Sequence, residues 1–376
     1  MIEFTRFGLS ATVLQAHIWP LGAPWLAWQS VFAFYTLSGF LMTRVLQQRY
    51  GFSPAGFAAF ALNRFLRLWP AYLVVVGLTC IALIFVDMRF MYSPLHFPRG
   101  PLDWTVNFSV VGLVGFSPGY LGRYAFIVPN SWSLSIELIS YALLAAFFAR
   151  TSKHLLAFVA LGVVALTVSS AICAGDTWQA YCFQNRYTVV QAGFIPFAFG
   201  GLLFFHADYF SKYVGTPLVL FALAFIGIEL LIYASPMLQY TIAPFVGSIA
   251  IGGLIVRNAH RPIVLPWSDF WGRASYHLFI AQWALAALLS RLFGIPTSFR
   301  LALATLIASI GLSTILVPME RAVEKLRRRI ASARQRELHA GGHAIVDLRN
   351  LRSGPFVESS SLSFTTTPQA TVPPEA

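Results

Sequence analysis

Two ionisable residues stand inside the first apolar stretch of the chain, Phe4 to Trp19: Arg6 and His17. Eleven positions separate them, so an α-helix returns both to nearly one face, about 16 Å apart along its axis. With Arg6 at one membrane surface, His17 comes near the middle of a hydrocarbon core about 30 Å thick. Ionisable groups are costly at that depth and face a cavity or a partner. Glu137, in NSWSLSIE, is a second such group. Trp132 marks an interface, and Glu137, five residues deeper, sits about 7 Å below the boundary. Counted from the two sides, His17 and Glu137 come within about two helical turns of the same depth. A carboxylate that orients an imidazole is what general-base catalysis requires, so the two are candidate catalytic residues and an expected pair. A plain structural ion pair is the alternative.

Other polar residues are placed where a ligand would enter. Arg64 and Arg67, in ALNRFLRLWP, share a helix face at i and i+3. Two guanidiniums at a membrane mouth suit a phosphate-bearing ligand, while anchoring by loop arginines accounts for them equally. Ser38, in FYTLSGFL, is a further candidate beside small residues that usually mean close packing. Ser275, Tyr276, His277 and Gln282 make another polar stripe, in which His277 lies near an inner helix end, where snorkelling accounts for it. Cys80, Cys173 and Cys182 show no metal-ligand spacing, and no metal is expected. Cys173 and Cys182 flank one loop and either pair there or remain thiols.

The elements that must carry these residues are membrane helices. The chain is 57% hydrophobic and 11% charged, with a mean hydropathy of +0.68, which excludes an ordinary soluble domain. The expected spans are 5–21, 25–46, 64–86, 132–149, 154–174, 188–206, 217–234, 239–257, 271–292 and 299–318. The first has Glu3 and Arg6 before it and no small-residue cleavage site, so it reads as a retained helix. The stretch from Trp104 to Gly119 is short and broken by Gly112, Gly115, Pro118 and Gly119. Counting it as a span would place Arg150, Lys153 and the Arg257–Arg273 cluster outside, against the positive-inside bias. The expectation is therefore an all-α polytopic bundle of about ten transmembrane helices with both termini cytoplasmic. Residues 87–131 form an outer segment whose apolar part lies on or dips into the membrane. The net charge of +12 reflects loop ends and a basic C-terminal cluster, not nucleic-acid binding.

Residues 1–320 make up the membrane domain. Residues 321–338 read as a basic cytoplasmic helix against anionic headgroups or simply solvated, and 339–376, rich in Ser, Thr and Pro, as a disordered tail.

Together these residues resemble acyltransferase family 3, integral membrane O-acyltransferases, over nearly the whole membrane portion. Arg6 and His17 match the family's basic residue, ten residues, histidine motif. SVFAFYTLSGFLMTR resembles its second-helix signature, Arg64-Phe65-Leu66-Arg67 its paired arginines, and NSWSLSIE its Ser-Trp-Ser-Leu…Glu segment. WGRASYHLFIAQ and LVPMERAV resemble its last two signatures. Phe279 and Gln282 stand where the family commonly has tyrosine and histidine, so the resemblance extends no catalytic role to that helix. The likeness is to the stand-alone type without an esterase-like domain. It implies transfer of an acyl group, most often acetyl from acetyl-CoA, to a hydroxyl of a cell-envelope or exported polysaccharide or glycolipid at a bacterial inner membrane. Arg6, Arg64 and Arg67 would then hold the donor phosphates, and His17 would act as a base or be transiently acylated. Membrane lipids and the glycan acceptor are the expected partners. The competing expectation is a transporter or flippase of a lipid-linked or small anionic substrate, though paired halves with interrupted helices are not evident. A membrane glycosyltransferase would call for clustered outer acidic residues, where Asp87, Asp103 and Asp176 are scattered.

Overall fold

The computed structural model describes residues 1–19, 25–92, 94–111, 125–173, 186–213, 243–260 and 266–340, and among these no strand occurs. Helix α1 (Ile2–Ile18) leads to α2 (Trp25–Val45), which a π-turn over Leu46–Tyr50 and Gly51 close. Helix α3 (Pro54–Phe85) starts at Ser53, whose hydroxyl accepts the Gly56 N–H at 3.2 Å. Pro54 follows at the first helical position, where its missing donor is not needed. Then come α4 (Pro101–Ser109), α5 (Ser131–Ala146), α6 (Ser152–Cys173), α7 (Phe194–Phe205), α8 (Ala207–Tyr213), α9 (Ala243–His260), α10 (Ser268–Phe293) and α11 (Phe299–Ala340).

Each expected span coincides with a helix, except 217–234, which lies outside the described residues. Cys182 and the tail from 341 lie outside them too. Among the described residues, four helices are long and apolar enough to cross a membrane: α3, α6 over residues 152–169, α10 and α11. That is fewer than the ten expected, and the first two helices show why. Helix α1 has only 17 residues, and α2 carries buried Gln29, Ser30, Thr36, Ser38 and Thr43. A helix enclosed by other helices needs no apolar coat on every face.

Enclosure of α2 depends on glycine. A Cβ on Gly39 would run into the Phe197 carbonyl of α7, one on Gly200 into the Thr36 carbonyl, and one on Gly247 of α9 into the Gln29 carbonyl. Backbones therefore touch backbones, the close approach that small residues permit between membrane helices. The two partners so admitted are those α2 packs against most extensively.

Helices α1 and α10 pack along their length and run in the same direction. Phe7 meets Trp271 edge-on at 4.7 Å, Glu3 lies against Gly272, and the Ser275 hydroxyl donates to the Arg6 carbonyl at 2.9 Å. One layer higher the Ser10 and Ser275 hydroxyls are 2.9 Å apart, and two turns beyond, the His17 and Trp283 rings lie 4.9 Å apart. Contact positions rise together on both helices, which only parallel packing produces.

Pro318 does not end the last helix. Helix α11 runs unbroken through it for 42 residues, about 63 Å, twice a hydrocarbon thickness. Its second half is held by α3 and the π-turn: Arg327 donates to Asn63 Oδ1 through Nε and Nη2, and Asn63 Nδ2 donates to the Arg327 carbonyl at 3.1 Å. Arg334 reaches Ser53 Oγ at 2.6 Å and the Tyr50 carbonyl. The basic segment 321–338 thus has one face on protein, while Arg321, Lys325, Arg328, Arg329 and Arg336 point outward.

Helix α4 has nine residues, about 14 Å, and cannot span. Its C-terminal carbonyls, orphaned as at any helix end, are taken up by α3. Tyr72 donates to the Asn107 carbonyl at 2.7 Å and Trp69 Nε1 to the Phe108 carbonyl at 2.9 Å. Both donors lie near the middle of α3, so α4 dips alongside it. Irregular backbone at membrane depth is tolerated when protein satisfies it.

Replacing Gly39 by Ala is expected to force α2 and α7 apart, at a cost of about 1–3 kcal/mol. Gly77, with open space at its Cβ position, should accept Ala without loss. Thermal unfolding of the two purified variants in detergent checks both; equal midpoints would refute the close packing.

Candidate active site

The polar residues gather at two levels of the bundle. One end is basic. Arg67 of α3, Arg273 of α10 and Arg327 of α11, with Glu320 and Glu324, line a narrow cavity of about 30 Å³, enough for a water but no larger ligand. Glu320 bridges two groups of α10: Arg273 Nε at 3.3 Å and His277 Nε2 at 3.1 Å. Glu324 pairs with Arg327 and Arg328. Arg64 lies one turn from Arg67, donates to Asn63 Oδ1 at 3.0 Å and has its guanidinium 5.8 Å from the Phe60 ring centre. Arg6 is at the same end, level with Ser275, and sits 3.7 Å from Glu3.

His277 does not snorkel. Its side chain has no exposed surface; Nδ1 lies 3.0 Å from Ser313 Oγ and Nε2 faces Glu320. The sequence signatures WGRASYHLFIAQ and LVPMERAV meet in this contact. Tyr276, on the neighbouring face, donates to the Leu68 carbonyl at 3.0 Å and has Arg67, Glu137 and Glu320 among its electrostatic neighbours. It stands between the basic end and the interior.

Deeper in, Glu137 is held by hydroxyls. Ser38 of α2 donates to Oε1 at 2.6 Å, and Tyr141, one turn along α5, donates to the same oxygen. Tyr141 also lies 3.3 Å from Ser38, and Arg64 is an electrostatic neighbour of Tyr141. Ser38 is only 8% exposed, so its polar contact with Glu137 is shielded from bulk solvent. The second oxygen, Oε2, forms no hydrogen bond among the described residues and is not enclosed.

His17 has other neighbours. Its half-buried ring lies tilted against Trp283, and the Gln282 side chain is its hydrogen-bonding neighbour. Nδ1 is enclosed without a partner, whereas Nε2 is not enclosed. Trp283 Nε1 donates to Asn130 Oδ1 at 3.1 Å, and Asn130 Nδ2 donates to the Phe279 carbonyl at 2.8 Å. Asn130 is the N-cap residue of α5, with its side chain spent on α10 instead of on its own helix.

The expected His17–Glu137 pair is therefore not formed. Glu137 lies seven residues, about 10 Å, along α5 from Asn130, whereas His17 is level with Asn130. Contacts connect them only indirectly, from Gln282 to Phe279, from the Phe279 ring to Phe34 at 6.1 Å, and along α2 to Ser38. Counting depth brought both to the same half of the membrane but did not say which helix faces which. Asn130, Tyr141, Trp283 and Glu320 went unnoticed as site members. Asn130 was visible at the head of NSWSLSIE, and Glu320 as an acid within an arginine-rich run.

No curated protein and no solved structure matches the chain. The family model described as an acyltransferase domain, of acyltransferase family 3, matches residues 19–318. The match takes in Ser38, Arg64, Arg67, Glu137 and Tyr276; it opens just after His17, whose place rests on its contacts with α10. A helical bundle with arginines at one end, a hydroxyl-bound carboxylate inside and a match over most of its length is one case: the chain belongs to acyltransferase family 3.

Proposed function

We propose that this acyltransferase moves an acyl group, acetyl from acetyl-CoA, to a hydroxyl of a cell-envelope or exported polysaccharide or glycolipid, with His17 as general base. The observation that carries the reading is a half-buried imidazole whose Nε2 is not among the enclosed atoms, set behind a row of arginines in a bundle of an acyltransferase family. Arg6, Arg64 and Arg67 stand at the end where donor phosphates would enter, and Arg273 and Arg327 join them. From Arg273 to Gln282 the separation along α10 is about 14 Å. A coenzyme A thioester has the shape for this, with phosphates at one end of a long thin arm and the reacting carbonyl at the other.

In the step we infer, the acceptor hydroxyl gives its proton to His17 as its oxygen attacks the thioester carbonyl. A C–O bond forms and the C–S bond breaks. Coenzyme A leaves as a thiolate and recovers the proton from His17. Glu137, with Oε1 committed to Ser38 and Tyr141, offers Oε2 to an acceptor hydroxyl. The arginine end is read as cytoplasmic and the membrane as a bacterial inner membrane, which puts the donor inside and the envelope glycan outside.

Purified protein given labelled acetyl-CoA should release coenzyme A and label a glycan acceptor, and envelope glycans from cells lacking the protein should lose an acetyl mass. Folded His17→Ala protein should transfer nothing; substantial activity there would remove the centre of the reading. Replacing Arg64 and Arg67 by Gln should raise the donor KM about tenfold or more for each, since a charge-assisted contact contributes about 1.5–3 kcal/mol. Unchanged donor affinity would reduce them to anchors. Glu137→Gln should lower acceptor turnover roughly ten- to hundredfold for the same reason, measured by acceptor titration at saturating donor.

A further inference from the structure

The hydrogen-bonding neighbour of the His17 ring is a neutral amide on α10, the helix to which the resemblance extended no catalytic role. Three observations fix how that amide stands. First, α1 and α10 run parallel in register: Ser10 meets Ser275, and seven residues further on each helix come His17 and Gln282. A seven-residue step is two helical turns, so a pair in contact at one layer is returned to contact at the next. Second, the amide cannot present either end at will. Gln282 Nε2 donates to the Phe279 carbonyl at 3.1 Å, and Oε1 is the enclosed end that has no partner. Third, two enclosed polar atoms in this region lack partners, Gln282 Oε1 and His17 Nδ1, and they belong to these two side chains. An enclosed acceptor and an enclosed ring nitrogen without partners are each costly, and a shared hydrogen bond removes both costs.

We propose that Gln282 is the positioning residue of His17: its Oε1 accepts the Nδ1 proton and thereby leaves the Nε2 lone pair facing the reacting groups. This rests on the reading of His17 as general base. The ring has two tautomers, and the hydrogen bond made by one nitrogen decides which form the other takes. Trp283 supports the same orientation from its face, and its own indole is fixed by Asn130. The buried set is thus Asn130, Phe279 carbonyl, Gln282 and Trp283, with His17 as the member that reaches open space. An amide fixes the tautomer without bringing a charge to that depth, where a lone carboxylate would be costly.

The test uses the full-length protein in detergent or nanodiscs with labelled acetyl-CoA and a hydroxyl acceptor. Gln282→Met keeps the volume and removes the acceptor oxygen. It should lower kcat tenfold or more with donor KM within twofold, because the arginine end is untouched. Gln282→Glu restores an acceptor oxygen and should recover much of that loss. Its carboxylate favours the protonated ring, so the acid limb of the kcat profile should move to higher pH. A structural role alone would lower the unfolding temperature or the yield and leave both the profile and the kcat-to-KM split unmoved. Wild-type kcat in a folded Gln282→Met protein, or an unmoved acid limb in Gln282→Glu, would overturn the proposal; the Glu variant decides alone if the Met variant does not insert. Were His17→Ala dead while every Gln282 variant stayed normal, only this inference would fall. An active His17→Ala protein would overturn the base reading itself.

Discussion

Helix α1 is held against α10 by hydroxyl contacts between Ser10, Ser275 and the Arg6 carbonyl, and the position of His17 follows from them. In hydrocarbon, apolar contact gives two helices no reason to prefer one register, because lipid tails are as apolar as leucine. Hydrogen bonds between side chains do give a reason. Glu3 against Gly272 and Phe7 against Trp271 are compatible with one alignment only, and that alignment repeats two turns later at His17. A shift of one residue would carry the ring away from Trp283 and Gln282. The His17 ring is thus placed by contacts about 10 Å away from it along the helix axis.

The second centre has a different physical origin. Helix α2 is admitted to the middle of the bundle by glycines, its own Gly39 and those of two neighbours, and this lets a helix with five buried polar side chains avoid lipid. Ser38 is adjacent to Gly39, so the close approach that seats the helix also seats the hydroxyl bonded to Glu137. Tyr141 supplies the second donor from Glu137's own helix. Two hydroxyls satisfy one carboxylate oxygen and leave the other for a guest, and a buried carboxylate with hydroxyl donors needs no cation beside it.

Much of this was legible in the chain. Apolar length gave the helices, because a backbone in hydrocarbon must bond within itself and helices do so at predictable lengths. That Arg64 and Arg67 share one helix face, and that His17 and Glu137 stand inside apolar helices, followed from residue spacing alone. What spacing could not supply was rotation and crossing. Depth is one coordinate, and partner choice needs the other two, so Glu137 was paired with His17 when Ser38 and Tyr141 were nearer. Pro318 stands inside α11 without ending it. Its missing N–H weakens one helical bond, but Asn63, Ser53 and Tyr50 hold the following turns and keep them helical. Gln282 drew no role because it stands where the family commonly has histidine, and the His17 ring that it neighbours lies 265 positions away.

The separation of the two centres also says what kind of reaction the bundle suits. A histidine bonded to a carboxylate is a charge-stabilised base that works alone on one substrate. Here the imidazole of His17 has a neutral amide as its neighbour, and the carboxylate stands elsewhere, bonded to hydroxyls and open on one oxygen. Between them lie the Phe34 and Phe279 rings, 6.1 Å apart. Two polar stations across an apolar gap can hold two reactants, one at each, and a proton passed at His17 does not quench the charge at Glu137. A thioester arm reaching in from the arginine end and a hydroxyl presented from the other side meet this division. A single ligand carried through the bundle would find a ring pair across its path and a carboxylate already bonded to two protein hydroxyls, which favours chemistry over passage.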